Sequence, residues 1–196
     1  MLDNQNLILK SKHIRLVPYL PIHVDTYHLW MSSKELQELT CSEPLTIKQE
    51  YEMCESWKND PDKLTFIIHS PSCHTNQILE KSLDAGGMIG DVNLYISTTE
   101  AEVEIMIAEP DFRRKGLGLE ALKMLFTYGT TVLKLKKFVA KIGYSNIQSI
   151  KLFDKFGFLL VSNSEYFQQH TFERVVDDEF LRLIHVDFST IIVDFK

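Results

Sequence analysis

Cysteine is scarce in this chain. Three residues of 196 (Cys41, Cys54 and Cys73), none in a C-x-x-C pair, argue against a disulfide framework or a zinc site and for a reducing compartment. Long apolar runs are missing too. The longest, such as residues 158–161 and 191–193, are strand-sized and far short of the roughly 18 to 20 residues that cross a bilayer. No basic segment followed by an apolar stretch opens the chain, so no secretory signal is expected. With 8 Gly and 6 Pro it is neither collagen-like nor a low-complexity chain. Basic residues are outnumbered, 21 against 27 acidic, and the formal net charge of −6 argues against broad binding to nucleic acid. These absences set an expectation: a cytoplasmic chain, with nuclear access open, that has no nucleic-acid or membrane partner and no metal.

What is present is an ordinary globular balance, 44% hydrophobic and 24% charged residues, in a length suited to one core. Residues 7–17 read as a strand or hairpin closed by Pro18 and Pro21. Residues 22–39 carry Tyr27, Trp30, Met31 and Leu36 at helical intervals, with Ser32-Ser33 as a point of interruption. Thr46-Ile47-Lys48-Gln49 resembles a capping box, and the helix it starts ends at Asn59-Asp60-Pro61. Residues 64–68 and 88–96 are predicted strands, the second with a bulge at Gly90. Between them, residues 70–87 read as an exposed, disordered loop in which the adjacent Cys73 and His74 are incidental. A strand over 101–108, a helix over 116–133, a strand over 137–142 and a short helix over 146–156 closed by Gly157 follow. Two antiparallel strands, 158–161 and 166–175, end the assignable part. The order describes an α/β domain of the α+β type, with a mostly antiparallel sheet of six or seven strands and about four helices.

One segment concentrates chemistry: Ile107-Ala108-Glu109-Pro110-Asp111-Phe112-Arg113-Arg114-Lys115-Gly116-Leu117-Gly118. A strand ends at a proline, three cations follow, and two glycines open a helix. Unpaired N–H groups and the positive end of the helix dipole make such a start a seat for an anion. Gly116 and Gly118 leave room for a phosphate to reach the main chain, and Arg113, Arg114 and Lys115 add positive charge. The alternative is a plain basic surface turn. The string is not a Walker A loop, and its G-x-G-x-x-A is a weak signal alone.

Arg113-x-x-Gly116-x-Gly118 resembles the R/Q-x-x-G-x-G/A signature of the GNAT N-acetyltransferase superfamily. Downstream, Asn146-Ile147-Gln148-Ser149, continuing through Phe153 and Lys155 to Gly157-Phe158, resembles the next motif of that superfamily at its usual spacing. Leu16-Val17-Pro18-Tyr19, Glu43-Pro44-Leu45-Thr46, Gly90-Asp91-Val92-Asn93-Leu94 and Met106-Ile107-Ala108-Glu109-Pro110 resemble the N-acetyltransferase 9 family. The likeness runs over residues 4–173. It implies a GNAT domain over residues 1–176, with 177–196 a C-terminal extension of unassigned structure.

The resemblance implies direct transfer of acetyl from acetyl-CoA to an amine, with a protein or peptide as the expected acceptor. It assigns the pyrophosphate seat to the backbone of Arg113, Arg114, Lys115, Gly116, Leu117 and Gly118. Ile105 and Ile107 would flank pantetheine, and Asn146 and Ser149 would face the same ligand. Glu102 and Glu104, two apart on one strand, share a face; either is a candidate general base, and the alternative is a pair of cross-strand ion pairs. A lysine acceptor, neutral about one part in a thousand near pH 7.4, needs such a base more than an α-amine does. Many relatives offer the leaving thiolate a Tyr where this chain has Phe153. Ser149 is then the candidate donor, unless Asn146 and Ser149 only start a helix. Tyr144, Asn93 and Tyr95 are candidates for the acceptor side, and Trp30, Tyr51 and Trp57 read as core. A small-molecule amine acetyltransferase and an inactive CoA-binding scaffold are the competing readings.

Overall fold

The computed structural model describes residues 5–70 and 87–192. Two short strands, β1 (Leu7–Lys10) and β2 (Arg15–Pro18), lead into helices α1 (Val24–Met31), α2 (Lys34–Thr40) and α3 (Ile47–Asn59). Strands β3 (Lys63–His69), β4 (Met88–Ser97) and β5 (Glu100–Ile107) follow, then α4 (Leu117–Thr131), β6 (Lys137–Gly143) and α5 (Ile147–Asp154). The chain continues through β7 (Leu159–Ser164), β8 (Gln169–Val175), α6 (Asp178–Ile184) and β9 (Ser189–Ile192). The strands form one sheet in the order β7-β8-β6-β5-β4-β3-β2-β1-β9, antiparallel except for β5 against β6.

The fold class is as expected; the counts are higher. Nine strands and six helices stand among the described residues, against six or seven and about four. Two of the extra strands are four residues long, too short to show a period. The extra helices come from the break at Ser32-Ser33, where Ser33 caps α2 by accepting from the Leu36 amide, and from the tail. In that tail Asp177 caps α6 through the Phe180 amide at 2.7 Å, and β9 pairs with β1. The Thr46–Gln49 capping box forms as read, with the Thr46 amide donating to Gln49 Oε1 at 2.9 Å. Cys73, His74 and the predicted loop around them lie outside the described residues.

The sheet separates two apolar clusters. On one side α4 and α6 cover a core centred on Phe126, whose ring lies 4.7 Å from Phe138, 5.1 Å from Phe156 and 5.3 Å from Phe180. On the other, α1 to α3 bring Tyr27, Trp30, Met31 and Cys54 against Val17, Ile67 and Met106.

Strand β4 changes face along its length, because His69 pairs with Met88 and Ile68 with Gly90, leaving Ile89 as an extra residue. Ile89 therefore packs with the α4 side, as do Val92 and Leu94. Asp91, Asn93 and Tyr95 alternate with these and turn to the other face. Glycine is needed at the bulge: a Cβ on Gly90 would stand 1.9 Å from the Met106 carbonyl oxygen.

Phe180, fully buried, ties the tail to the core. Phe180→Ala is expected to cost about 3–5 kcal/mol, measured by urea denaturation of the full chain. A loss under about 1 kcal/mol would show the tail to be peripheral.

Candidate active site

Strands β5 and β6 pair only through Glu100–Lys137, Ala101–Phe138 and Glu102–Val139. Past Glu102 they diverge, and Val103 to Ile107 face β6 without a ladder. The opening is a cleft of about 340 Å³ on the α1–α3 side, lined by residues of β4, β5, β6, α5 and the segment after α2. Glu102, Glu104, Ile105, Asn146 and Ser149 all border it.

At the end of β5 the chain makes a 3-10 turn (Pro110–Phe112) and enters α4. Arg114 and Gly116 both have positive φ (63° and 83°), an alternation that gathers main-chain N–H groups into a concave nest. Leu117, Gly118 and Leu119 lie in the first turn of α4, with no carbonyl one turn back to accept their amides. A Cβ on Gly118 would meet Ile105 Cδ1 at 3.4 Å and Ile107 Cγ1 at 3.6 Å, so this glycine packs against the two isoleucines expected beside pantetheine, whereas Gly116 faces open space. The loop thus presents amides without intrahelical partners beside the open space at Gly116.

The three cations divide. Arg113 is spent on structure: its Nε donates to the Ile107 carbonyl at 2.9 Å, Nη2 to Ala108 at 3.2 Å and Nη1 to Glu35 at 2.6 Å. Its guanidinium fixes the exit of β5 and ties it to α2 rather than adding charge to the seat. Arg114 stays exposed and donates to Gln148 Oε1 on α5 at 2.7 Å. Lys115 is exposed near the Phe112 ring. Gly116 also borders a second, shallower cavity with Lys12, His13 and Lys123.

The two glutamates separate as well. Glu102 forms an ion pair with Lys141 on β6 at 2.6 Å, the cross-strand alternative considered for it. Glu104 stands opposite Asn93, hydrogen-bonded to Tyr95. Water reaches it through the cleft, yet the surrounding walls desolvate its carboxylate and raise its pKa above the ordinary range.

Across the cleft Asn146 caps α5, its Oδ1 accepting from the Ser149 amide at 3.1 Å, so the helix-start role is real. The Ser149 hydroxyl has no hydrogen bond among the described residues. Phe153, one turn further on the same face, is buried against Phe158 and has no proton to give.

Residues that sequence reasoning took as core, or passed over, complete the cleft wall. Tyr27, Met53, Trp57 and Asp91 line the cleft with Asn93 and Tyr95. Asp91, 2% exposed, accepts from Asn93 Nδ2 at 2.8 Å and from the Tyr27 hydroxyl at 3.4 Å. Burial pushes its pKa up to about 6. Glu50 on α3 also lines the cleft, buried, 3.7 Å from His28 Nδ1, its pKa raised by burial. The alternation Asp91-x-Asn93-x-Tyr95 in an otherwise apolar strand was the legible signal; Glu50 on a polar helix gave none.

A cleft between two splayed strands, with an open-amide turn at its end and carboxylates on its wall, suits an enzyme that sets a CoA thioester beside an amine. Residues 13–159 match the Acetyltransferase (GNAT) domain family. The Alpha/beta-tubulin-N-acetyltransferase 9 proteins of Homo sapiens and Mus musculus are each 46% identical to this chain, over 180 and 179 residues. Each match spans 89% of this chain, with 86% of the human and 73% of the mouse protein. The crystal structure of spermidine N-acetyltransferase from Vibrio cholerae in complex with CoA and spermine shares the fold. Its TM-score is 0.68 at 17% identity, over 91% of this chain and 99% of that one. The chain belongs to the GNAT acetyltransferase family and is an N-acetyltransferase, an enzyme that transfers acetyl to an amine. Within that family it falls in the N-acetyltransferase 9 group. No helix among the described residues is long and apolar enough to cross a membrane, and no described group of His, Cys, Asp and Glu is arranged to hold a metal.

The native fold holds a proton on Asp91 up to about pH 6, whereas the unfolded chain releases it near 3.8. The buried charge therefore costs stability above pH 6, and the cost vanishes as pH falls through 6 to below 4. Asp91→Asn should raise the unfolding free energy by about 1–3 kcal/mol at pH 7.5 and leave it nearly unchanged at pH 4, by urea denaturation at both values. An equal effect at the two pH values would contradict this.

Proposed function

We propose that the chain acetylates an amine of a protein acceptor, with Glu104 as general base and Ser149 as hydrogen-bond donor to the leaving sulfur. The observation that carries this reading is the single cleft where β5 and β6 part, with Glu104 on the sheet wall and the uncommitted Ser149 hydroxyl on α5 opposite. The amides of residues 114 to 119 would hold the diphosphate of acetyl-CoA. Ile105 and Ile107 would flank pantetheine, and Asn146 would position α5. Acetyl-CoA supplies the acetyl group: the new C–N bond forms as the C–S bond breaks, and the sulfur leaves as a thiolate, hydrogen-bonded by Ser149, that takes a proton from solvent to become the thiol.

Glu104 takes the proton that the amine must lose, a task for which a raised pKa suits it. Glu102, held by Lys141, keeps β5 and β6 together at the apex of the cleft. Ser149 fills the place that Phe153 cannot, which favours a working enzyme over an inert scaffold. The names of the human and mouse relatives supply the acceptor to try first, an amine of α- or β-tubulin, and a cytoplasmic site of action belongs to the same reading.

The test is mass spectrometry of purified tubulin incubated with isotopically labelled acetyl-CoA and this protein, with spermidine offered in parallel. Labelled tubulin and unlabelled spermidine are expected; the reverse pattern would move the acceptor to small molecules. Failure to bind CoA at millimolar concentration by calorimetry would remove the reading altogether. Glu104→Gln should lower kcat about 100-fold or more with CoA affinity retained. Gly118→Glu should weaken CoA binding by about 100-fold, because it sets a like charge beside the diphosphate.

A further inference from the structure

Lys63 opens β3 directly opposite Tyr95, and its side chain is 2% exposed. Its ammonium lies 3.7 Å from the centroid of the Trp57 ring and 3.6 Å from that of Tyr95. No hydrogen-bond acceptor among the described residues reaches its Nζ. Both rings border the cleft, so Lys63 sits behind the acceptor wall as a caged cation. An unbranched apolar side chain such as Met would fill the slot between two rings without the cost of burying a charge. Packing alone therefore does not account for a lysine here.

The groups around it say what the charge does. Glu104 of β5, Asp91 of β4 and Asp60 of the turn after α3 act on Lys63; Glu102 of β5, the Tyr95 hydroxyl of β4 and Lys141 of β6 act on Glu104, and Glu50 of α3 lines the same cleft. Lys141 is committed to Glu102. Carboxylates predominate, and Glu102 raises the Glu104 pKa while Lys63 is the foremost charge that lowers it. The ring that covers the ammonium on one side also carries the hydroxyl bonded to Glu104. Burial lowers the pKa of Lys63 to about 8, so it is charged across the acid and neutral range.

We propose that Lys63 is a positioning residue for acetyl transfer: caged by Trp57 and Tyr95, it holds the Tyr95 hydroxyl on Glu104 and supplies the counter-charge that keeps this carboxylate open to the acceptor's proton. The inference rests on the reading of Glu104 as the base, and the two are separable by experiment.

In protein carrying ¹³C at glutamate Cδ, the signal lost in Glu104→Gln identifies Glu104 and gives its titration midpoint without any substrate. Lys63→Met should raise that midpoint by about one pH unit and Lys63→Arg should restore it. With tubulin as acceptor, the acid limb of kcat/KM that Glu104→Gln abolishes should move by the same amount, while CoA affinity is unchanged. A merely structural lysine would lower activity at every pH and leave the midpoint in place. Lys63→Gln gives the same reading should the Met variant fail to fold. A midpoint unmoved in the variants without the charge overturns the role of Lys63, whatever becomes of kcat. A midpoint that moves while Glu104→Gln keeps full kcat overturns the base instead.

Discussion

The site depends on a close approach of two backbones: β4 passes so near the Met106 carbonyl that residue 90 has no space for a side chain. Because Gly90 permits that contact, the extra residue Ile89 can sit in the strand, and its carbonyl accepts from both Ala108 and Glu109 at the end of β5. The bulge reverses the parity of β4. Without it Asp91, Asn93 and Tyr95 would point into the phenylalanine core, and the cleft would lose its polar wall. The same contact anchors the end of β5 just before the turn that leads to α4.

The second organising fact is the crowding of charges around one cleft. The cleft gathers Glu50, Asp91, Glu102 and Glu104, and offsets them with Lys141 across the gap and Lys63 behind the rings. Desolvation pushes Glu50, Asp91 and Glu104 toward their protonated forms. Beside them Thr65, Asn93 and Asp91 are chained across β3 and β4, the Thr65 hydroxyl donating to Asn93 Oδ1 at 2.7 Å and Asn93 Nδ2 to Asp91 at 2.8 Å. Such a chain gives buried polar atoms partners and fixes their rotamers. It leaves Glu104, hydrogen-bonded only by a tyrosine, as the carboxylate most open to a ligand.

Much of this was legible in the residue order, for physical reasons. Caps and glycines act locally, so Thr46–Gln49, Asn146 and the helix opening at Gly116 could be located from their neighbours, and Ser32-Ser33 as a break. The motif pair around Gly116 and Ser149 carried the family resemblance because each is a short local string, readable at its spacing without the fold. What stayed hidden depends on distant contacts. Nothing near Arg113 reveals that its guanidinium is consumed by the carbonyls of Ile107 and Ala108. Lys63 at the head of a strand looks like an ordinary exposed lysine until Trp57 and Tyr95 are brought over it. The tail was opaque because α6 and β9 are short, and their order comes from Phe180 under α4 and from pairing with β1.

That pairing has a practical side. Strand β9 closes the sheet margin five strands from β5, about 24 Å away at the usual spacing, while the cleft opens between β5 and β6. A label, tether or fused partner attached beyond β9 would hang from the opposite flank of the molecule and leave the entrance clear for a bulky acceptor.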